Sequence, residues 1–210
     1  MKLLVTAGPT REPLDPVRFL SNRSTGKMGF ALAEAGQRRG HAVTLVSGPV
    51  ALDTPHGVER IDVVTAAEMR DAVLTRLEDC DALIMAAAVS DWRPAEISAR
   101  KRKKAEMPAV LRLERTPDIL LSAAPFKGGR IFVGFAAETG DPEAEAKRKL
   151  HDKNLDLIAA NDVLDPEAGF EVDTNRVILI DAGGGVRRLP AMPKRDVALV
   201  IVDRITRLRR

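Results

Sequence analysis

Leu3-Leu4-Val5-Thr6-Ala7, residues 26–40 (GKMGFALAEAGQRRG) and Val43-Thr44-Leu45-Val46 decide the fold. The outer two are short aliphatic runs of strand type, and the middle one is amphipathic at helical spacing. Gly40 suits a left-handed cap at the helix end. Strand, helix and strand make a βαβ unit, and the same alternation extends outward from it. Residues 58–64 predict a third strand. Thr65 then caps a helix over 66–77, with Glu68 completing a capping box, and residues 82–88 predict a fourth strand. The regularity breaks over 90–115, where Pro94, a basic cluster and Pro108 precede the alternating Val110-Leu111-Arg112-Leu113-Glu114. A loop of that length reads as functional, with one short strand outside the main sheet. Alternation then resumes: helix 118–124, strand 131–135, helix 142–152 and strand 155–159. A hairpin of 176–180 with 185–189 around Gly183 and Gly184, and a closing helix over 195–208, complete the chain. The fold class this predicts is α/β: a Rossmann-like, open, mostly parallel sheet with helices on both faces and a small β-rich excursion.

With 210 residues, 45% of them hydrophobic, the chain can bury one substantial core, so residues 1–210 are expected to form a single domain. Its 33 Lys and Arg against 30 Asp and Glu leave a net charge of +3. The charge is well mixed and aromatic residues make up only 3%, which suits an anionic small substrate and argues against a nucleic-acid partner. The lone cysteine, Cys80, stands among Glu78, Asp79 and Asp81, where acids disfavour a thiolate; it reads as a structural thiol. No stretch has the length of a membrane span or of a signal peptide's apolar region, so no membrane association and a cytoplasmic location are expected. No metal-ligand spacing occurs among the histidines and the cysteine.

The first strand ends in Ala7-Gly8-Pro9-Thr10, and the next helix begins within Ser21-Asn22-Arg23-Ser24-Thr25-Gly26-Lys27-Met28-Gly29. Glycines and hydroxyls at a helix start expose backbone donors that favour an anion, which points to a phosphate-bearing ligand. About seventeen residues separate Gly8 from Gly26, a spacing that fits neither the dinucleotide fingerprint nor a P-loop. Taken alone, Gly26 and Gly29 could instead permit close helix–sheet packing, Asn22 could cap the helix, and Lys101-Arg102-Lys103-Lys104 could be a solvated charge run.

Residues 7–18 (AGPTREPLDPVR) followed by 21–29 (SNRSTGKMG) closely resemble phosphopantothenate–cysteine ligases of the bacterial, CTP-using type. Residues 86–93 (AAAVSDWR), 101–104 (KRKK), 116–120 (TPDIL), 134–139 (GFAAET) and 154–162 (NLDLIAAND) are similar to the same family in the same order. The resemblance implies a nucleotide-binding ligase domain that joins 4'-phosphopantothenate to L-cysteine through an acyl-cytidylate, releasing pyrophosphate and CMP, in coenzyme A synthesis. It implies CTP as co-substrate, Mg2+ held largely by phosphate oxygens and water, and a homodimer. Members often carry a flavin-containing decarboxylase ahead of the ligase, whereas this sequence begins at the ligase's first strand; no FMN is expected. By the same resemblance Asn22 holds the acyl-cytidylate and Lys101 neutralises charge as it forms, while Asn22, Ser24 and Gly26 contact the acid substrate. Gly8, Met85, Ala86, Ala87, Asp91 and Lys101 match nucleotide-binding positions, as do Pro117, Asp118, Ile119, Leu120, Phe135, Lys149 and Lys153. Lys149 and Lys153 stand one turn apart, so both heads can reach one phosphate chain. Asp118 could equally start a helix, and Phe135 could belong to the core. The irregular stretches 100–114 and 176–189 are the candidate partner contacts.

Overall fold

The computed structural model describes residues 1–106 and 109–209; Pro108 lies outside them. Its main sheet has eight strands: β1 (Lys2–Ala7), β2 (Ala42–Ser47), β3 (Glu59–Asp62), β4 (Ala82–Met85), β5 (Ile131–Glu138), β6 (Leu157–Asp162), β7 (Ile178–Asp181) and β8 (Val186–Arg188). Their spatial order is β3-β2-β1-β4-β5-β6-β7-β8. The first six run parallel, and the β7–β8 hairpin adds two antiparallel strands at one edge. The predicted α/β class and the hairpin are both present.

Successive strand residues face opposite sides, so each strand feeds two cores. Leu3, Val5, Leu45, Ile84 and Val133 pack under α1 (Lys27–Arg38) and α5 (Lys194–Leu208). Leu4, Leu83, Phe132 and Ile158 pack under α2 (Ala66–Leu77), α3 (Ile119–Ala123) and α4 (Pro142–Asp152). The capping box of α2 is formed as read: Thr65 accepts from the Glu68 N–H, and the Glu68 side chain accepts from the Thr65 N–H. The end of α1 closes with His41 N–H on Gly36 O and Gly40 N–H on Gln37 O, a Schellman arrangement. No helix among the described residues is long and apolar enough to cross a membrane.

Strand boundaries differ from the reading where pairing, rather than composition, decides them. Residues 58–64 shorten to Glu59–Asp62 because the ladder ends with its partner at Ser47. The run 131–135 extends to Glu138, since Ala136, Ala137 and Glu138 pair with Ala160, Asn161 and Asp162 despite their weak strand preference. Leu155 is not in β6; its N–H caps the end of α4 through Leu150 O at 2.9 Å. Residues 82–88 stop at Met85, and this shortening opens the site described next. Of the 90–115 excursion, the one expected strand outside the main sheet is present but shifted to Leu113–Arg115. It pairs antiparallel with a second, Trp92–Pro94, that the loop reading did not foresee because Trp92–Pro94 gains its strand form only from that pairing.

Candidate active site

Between β1 and β4 the strand order reverses: α1 and β2 lie to one side, and β5 with α4 to the other. Loops that leave such a point depart in opposite directions and open a crevice at the carboxyl ends of the strands. A cavity of about 450 Å3 lies there, within the range of small-molecule sites. Its floor is stitched together by hydrogen bonds between distant segments. Thr6 Oγ1 accepts from Ala87 N–H (3.1 Å), Gly8 O from Ala88 N–H (2.9 Å), and Thr10 Oγ1 from Ser90 N–H (3.0 Å). Thr116 joins the wall by donating its hydroxyl to Ser90 O and its N–H to Asp91 O.

All the site residues read from the sequence line this cavity except Gly8 and Lys101. Gly8 sits directly behind the wall, its carbonyl fixing Ala88. Lys101 is exposed on a tethered segment. Ser98 N–H donates to Leu14 O (3.0 Å), Arg102 N–H to Asp15 Oδ2 (3.3 Å), and Arg18 Nη2 to Arg102 O (2.8 Å). Asp15, buried beneath, binds the Arg18 guanidinium through Oδ2 at 2.6 and 3.0 Å. That guanidinium holds the Asp15 carboxyl far below the usual carboxylate range, helped by the Val17, Arg18 and Arg102 N–H groups against the opposing effect of burial.

The open alternatives resolve individually. Asn22 does not cap α1; its Nδ2 donates to Ala88 O at 2.8 Å. The cap position is Gly26, with a left-handed φ of 80° and no side-chain capping bond, so the first N–H groups of α1 face the cavity without a side-chain partner. Gly29 does serve close packing: a Cβ there would lie 2.4 Å from Ala7 Cβ and 2.8 Å from Thr6 O. Asp118 is the N-cap of α3, accepting from Leu121 N–H at 3.0 Å, and it also pairs with Lys153 at 2.9 Å inside the cavity wall. Lys149 pairs with Glu138. Phe135 is only partly buried and lines the cavity while touching the core.

The opposite end of the cavity holds Lys27, Asn175 and Lys194; Lys27 belongs to the 21–29 phrase, whereas Asn175 and Lys194 carry no local signature. A two-strand ribbon pairs Thr174–Asn175 with Met192–Pro193, bringing Asn175 beside the start of α5. Lys194, only 6% exposed, donates from Nζ to Gly169 O at 2.8 Å and to Val172 O. Burial, with Lys27 adding repulsion and the Asp173 carboxylate opposing both, pushes its ammonium down to about 8. Thr25 Oγ1 donates to Phe170 O (2.7 Å), and Lys27 Nζ donates to Glu171 O (3.1 Å) and pairs with Asp173 (2.7 Å). The 169–173 segment is thus strapped across the start of α1. Together these groups bring lysines to the crevice from α4 and from the starts of α1 and α5, with Lys149, Lys153 and Lys27 each paired with a carboxylate and with amides and small side chains between them. Such a surface can hold two anionic ligands in contact.

Residues 1–208 match the family model described as the DNA/pantothenate metabolism flavoprotein C-terminal domain. The coenzyme A biosynthesis bifunctional protein CoaBC of Bacillus subtilis (strain 168) is 50% identical over 207 residues, covering 98% of this chain and 51% of that protein. CoaBC of Escherichia coli (strain K12) is 46% identical over 209 residues, with 98% and 51% covered. The chain therefore spans about half the length of these curated relatives. A crystal structure of the C-terminal domain of CoaBC superposes with a TM-score of 0.85 at 40% identity, covering 99% of this chain and 94% of that one. By sequence over almost its whole length and by fold, the chain belongs to the family of DNA/pantothenate metabolism flavoprotein C-terminal domains.

Proposed function

We propose that residues 1–210 form one nucleotide-binding ligase domain that joins 4'-phosphopantothenate to L-cysteine at the expense of CTP, within coenzyme A synthesis. The observation that carries this reading is the crevice itself: lysines from α4, α1 and α5 and a helix start without a side-chain cap meet at the switch point of the sheet. A carboxylate is a poor electrophile until one oxygen becomes a leaving group, and two anions approach each other only among fixed cations and oriented donors. The acid's carboxylate attacks the α-phosphorus of CTP, and the bond to pyrophosphate breaks. The cysteine amine, having lost its proton, then attacks the acyl carbon; the C–O bond breaks and CMP leaves.

In this reading Lys149, Lys153 and the Pro117–Leu120 turn hold the nucleotide, with Gly8, Met85, Ala86, Ala87 and Phe135 shaping its bed. Ser24 and Gly26 contact the acid. Asn22 turns its amide from Ala88 O to the acyl oxygen as that carbon becomes tetrahedral. Lys101, exposed on the basic segment held at Ser98 and Arg102, would neutralise charge on the triphosphate and the substrate carboxylate. Among the described residues no three His, Cys, Asp or Glu gather into a cation cage. Mg2+ would then be carried on the triphosphate by phosphate oxygens and water, with Asp91 contacting the nucleotide in the cavity. When bound, the ion neutralises phosphate charge. The partner in a homodimer would cover the 100–114 and 176–189 stretches, where Val110, Leu113 and Val186 are 78%, 45% and 37% exposed; sedimentation should then return twice the mass of one chain.

The test is pyrophosphate release from CTP, Mg2+ and 4'-phosphopantothenate, with and without cysteine, and with ATP in parallel. Release that requires the acid, and amide formation that requires cysteine, are expected; no release with either nucleotide rejects the reading. Lys101→Ala should abolish acyl-cytidylate formation, and normal rates in that half-reaction would remove its role. Asn22→Ala should weaken chiefly the transfer to cysteine, and unchanged amide synthesis would count against it.

A further inference from the structure

A second cavity, of about 570 Å3, opens where the end of β3 meets the turn that follows β2, and it shares no lining residue with the crevice. Val50 stands between the two: it lines the second cavity, and its Cγ1 packs on Gly8 and Gly26, 3.0 and 2.9 Å from where a Cβ would sit. Arg11 reaches this cavity from a short ribbon that pairs Arg11 with Ser21 and Pro13 with Phe19. Its guanidinium rests on the Phe19 ring, 4.7 Å from the centroid, and has no hydrogen bond or ion pair among the described residues. Every other half-buried arginine described is tied to oxygen: Arg18, Arg60, Arg70, Arg76, Arg93, Arg102 and Arg204 to carboxylates, and Arg130 to carbonyls. Arg11 thus keeps five N–H donors unspent, in a planar fork that matches a carboxylate. Two acids share the lining. Asp62 pairs with Arg60 at 2.8 Å through Oδ1, and Glu68 accepts the Val64 and Thr65 N–H groups through Oε2. Each has a second carboxylate oxygen without a partner among the described residues. Val50, Val63 and Val64 supply apolar surface between the charges.

We infer that this second cavity binds a free, apolar α-amino acid, with its carboxylate in the Arg11 fork, its ammonium toward Glu68 and Asp62, and its side chain on the valines. The argument is one of charge complementarity. Two guanidinium groups and two carboxylates line the space, so a polyanion such as a nucleotide meets as much repulsion as attraction there. A simple carboxylate would satisfy Arg11 but leave the spare acid oxygens facing it. A simple amine would satisfy the acids and leave Arg11 unspent. A zwitterion answers both, and an apolar side chain covers the valines at a further gain of about 25 cal/mol per Å2 buried. The site stands apart from the reacting groups and does not rest on the ligase reading, since nothing that reading assigns to the reaction lines it except across Val50 and Gly8.

Titration of the whole chain with L-valine, followed by calorimetry and by methyl NMR, tests this. Isovalerate and isobutylamine serve beside it as the same skeleton without the ammonium and without the carboxylate. L-Valine should bind saturably in the millimolar range or tighter and shift the methyl signals of Val50, Val63 and Val64. Each truncated probe should bind about tenfold more weakly or worse, as expected when a charge-assisted contact is lost. Arg11→Gln should weaken L-valine by about tenfold or more and leave CTP within about twofold, and Arg11→Lys, which keeps the charge without the fork, should recover only part of the loss. Val64→Asp, at a position 48% exposed, sets a carboxylate in the cavity with Arg11; it should abolish L-valine binding and leave the melting temperature nearly unchanged. The inference falls if L-valine does not bind, if isovalerate binds as well as L-valine, or if Arg11→Gln keeps the wild-type affinity. It also falls if the shifted methyl signals are those of Met28 and Met85 in the crevice instead. No turnover enters any of these measurements, so failure of the ligase reading shows separately, as absence of pyrophosphate release by the unaltered protein.

Discussion

Gly29 shows how narrowly single residues are constrained here. The atoms that an added Cβ would strike are Ala7 Cβ and the backbone oxygen of Thr6, which cannot swing away as a flexible side chain would. Gly29→Ala must lift α1 from β1, and it should cost about 3 kcal/mol, the upper part of the overpacking range; urea denaturation measures it. Asp15 gives a pH-dependent case. Its native carboxyl titrates well below the unfolded value of about 3.9 because the Arg18 guanidinium stabilises the charged form. The folded protein therefore binds fewer protons than the unfolded chain between those two values. The contribution is complete above the unfolded pKa and is lost as pH falls through the native one. Asp15→Asn lacks it at every pH. The melting-temperature gap between wild type and variant should thus stay constant from pH 7 to about 5 and narrow steadily toward pH 2; a gap independent of pH would contradict this origin. At this scale the sequence posed the right questions about Asn22, Gly29 and Asp118, but the answers needed the neighbours' positions. An asparagine before a helix is chemically able to cap it, and only the path of residues 22–26 turns it toward Ala88 instead.

Among the elements, α2 is the one whose limits were most fully written in sequence. Its start signals lie within four consecutive residues, Thr65 to Glu68, and require no distant partner. Thr65→Ala removes the acceptor for the Glu68 N–H and should lower stability by about 1 kcal/mol, read as a shift of the urea midpoint with unchanged slope. A larger loss would mean that Thr65 holds more than the helix. Strands behave differently, because a strand ends where its neighbour ends. β5 reaches Glu138 through Ala-Ala-Glu, a tripeptide with no strand preference, since β6 pairs with it residue for residue. β4 stops at Met85 although apolar residues continue, because Ala87 N–H turns to Thr6 Oγ1 and the chain leaves the ladder. That departure makes the cavity, so the shortest departure from regularity is also the functional one.

Over the whole molecule, one sheet is shared by two cores, and its adjacent residues Leu83 and Ile84 point to opposite faces. Leu83→Ala and Ile84→Ala should each cost about 2–5 kcal/mol. Because both faces hang on the same strands, each variant should shift one common transition followed by circular dichroism and by methyl NMR signals of either face. Separate transitions for the two faces would overturn the single-domain reading. By itself, the sequence determined the α/β alternation, the capping signals, the excursion outside the sheet and the phrases that tie the chain to its family. These follow from local chemistry: periodicity, cap geometry and the spacing of glycines and prolines. Only the tertiary structure decided strand order, the strand ends and the far half of the crevice. Asn175 and Lys194 are nearly twenty residues apart and carry no motif; a two-residue ribbon and the fall of α5 across the sheet bring them to the start of α1. Pairing and packing between distant segments leave no periodic trace in the chain, so that part of the site had to be seen in three dimensions.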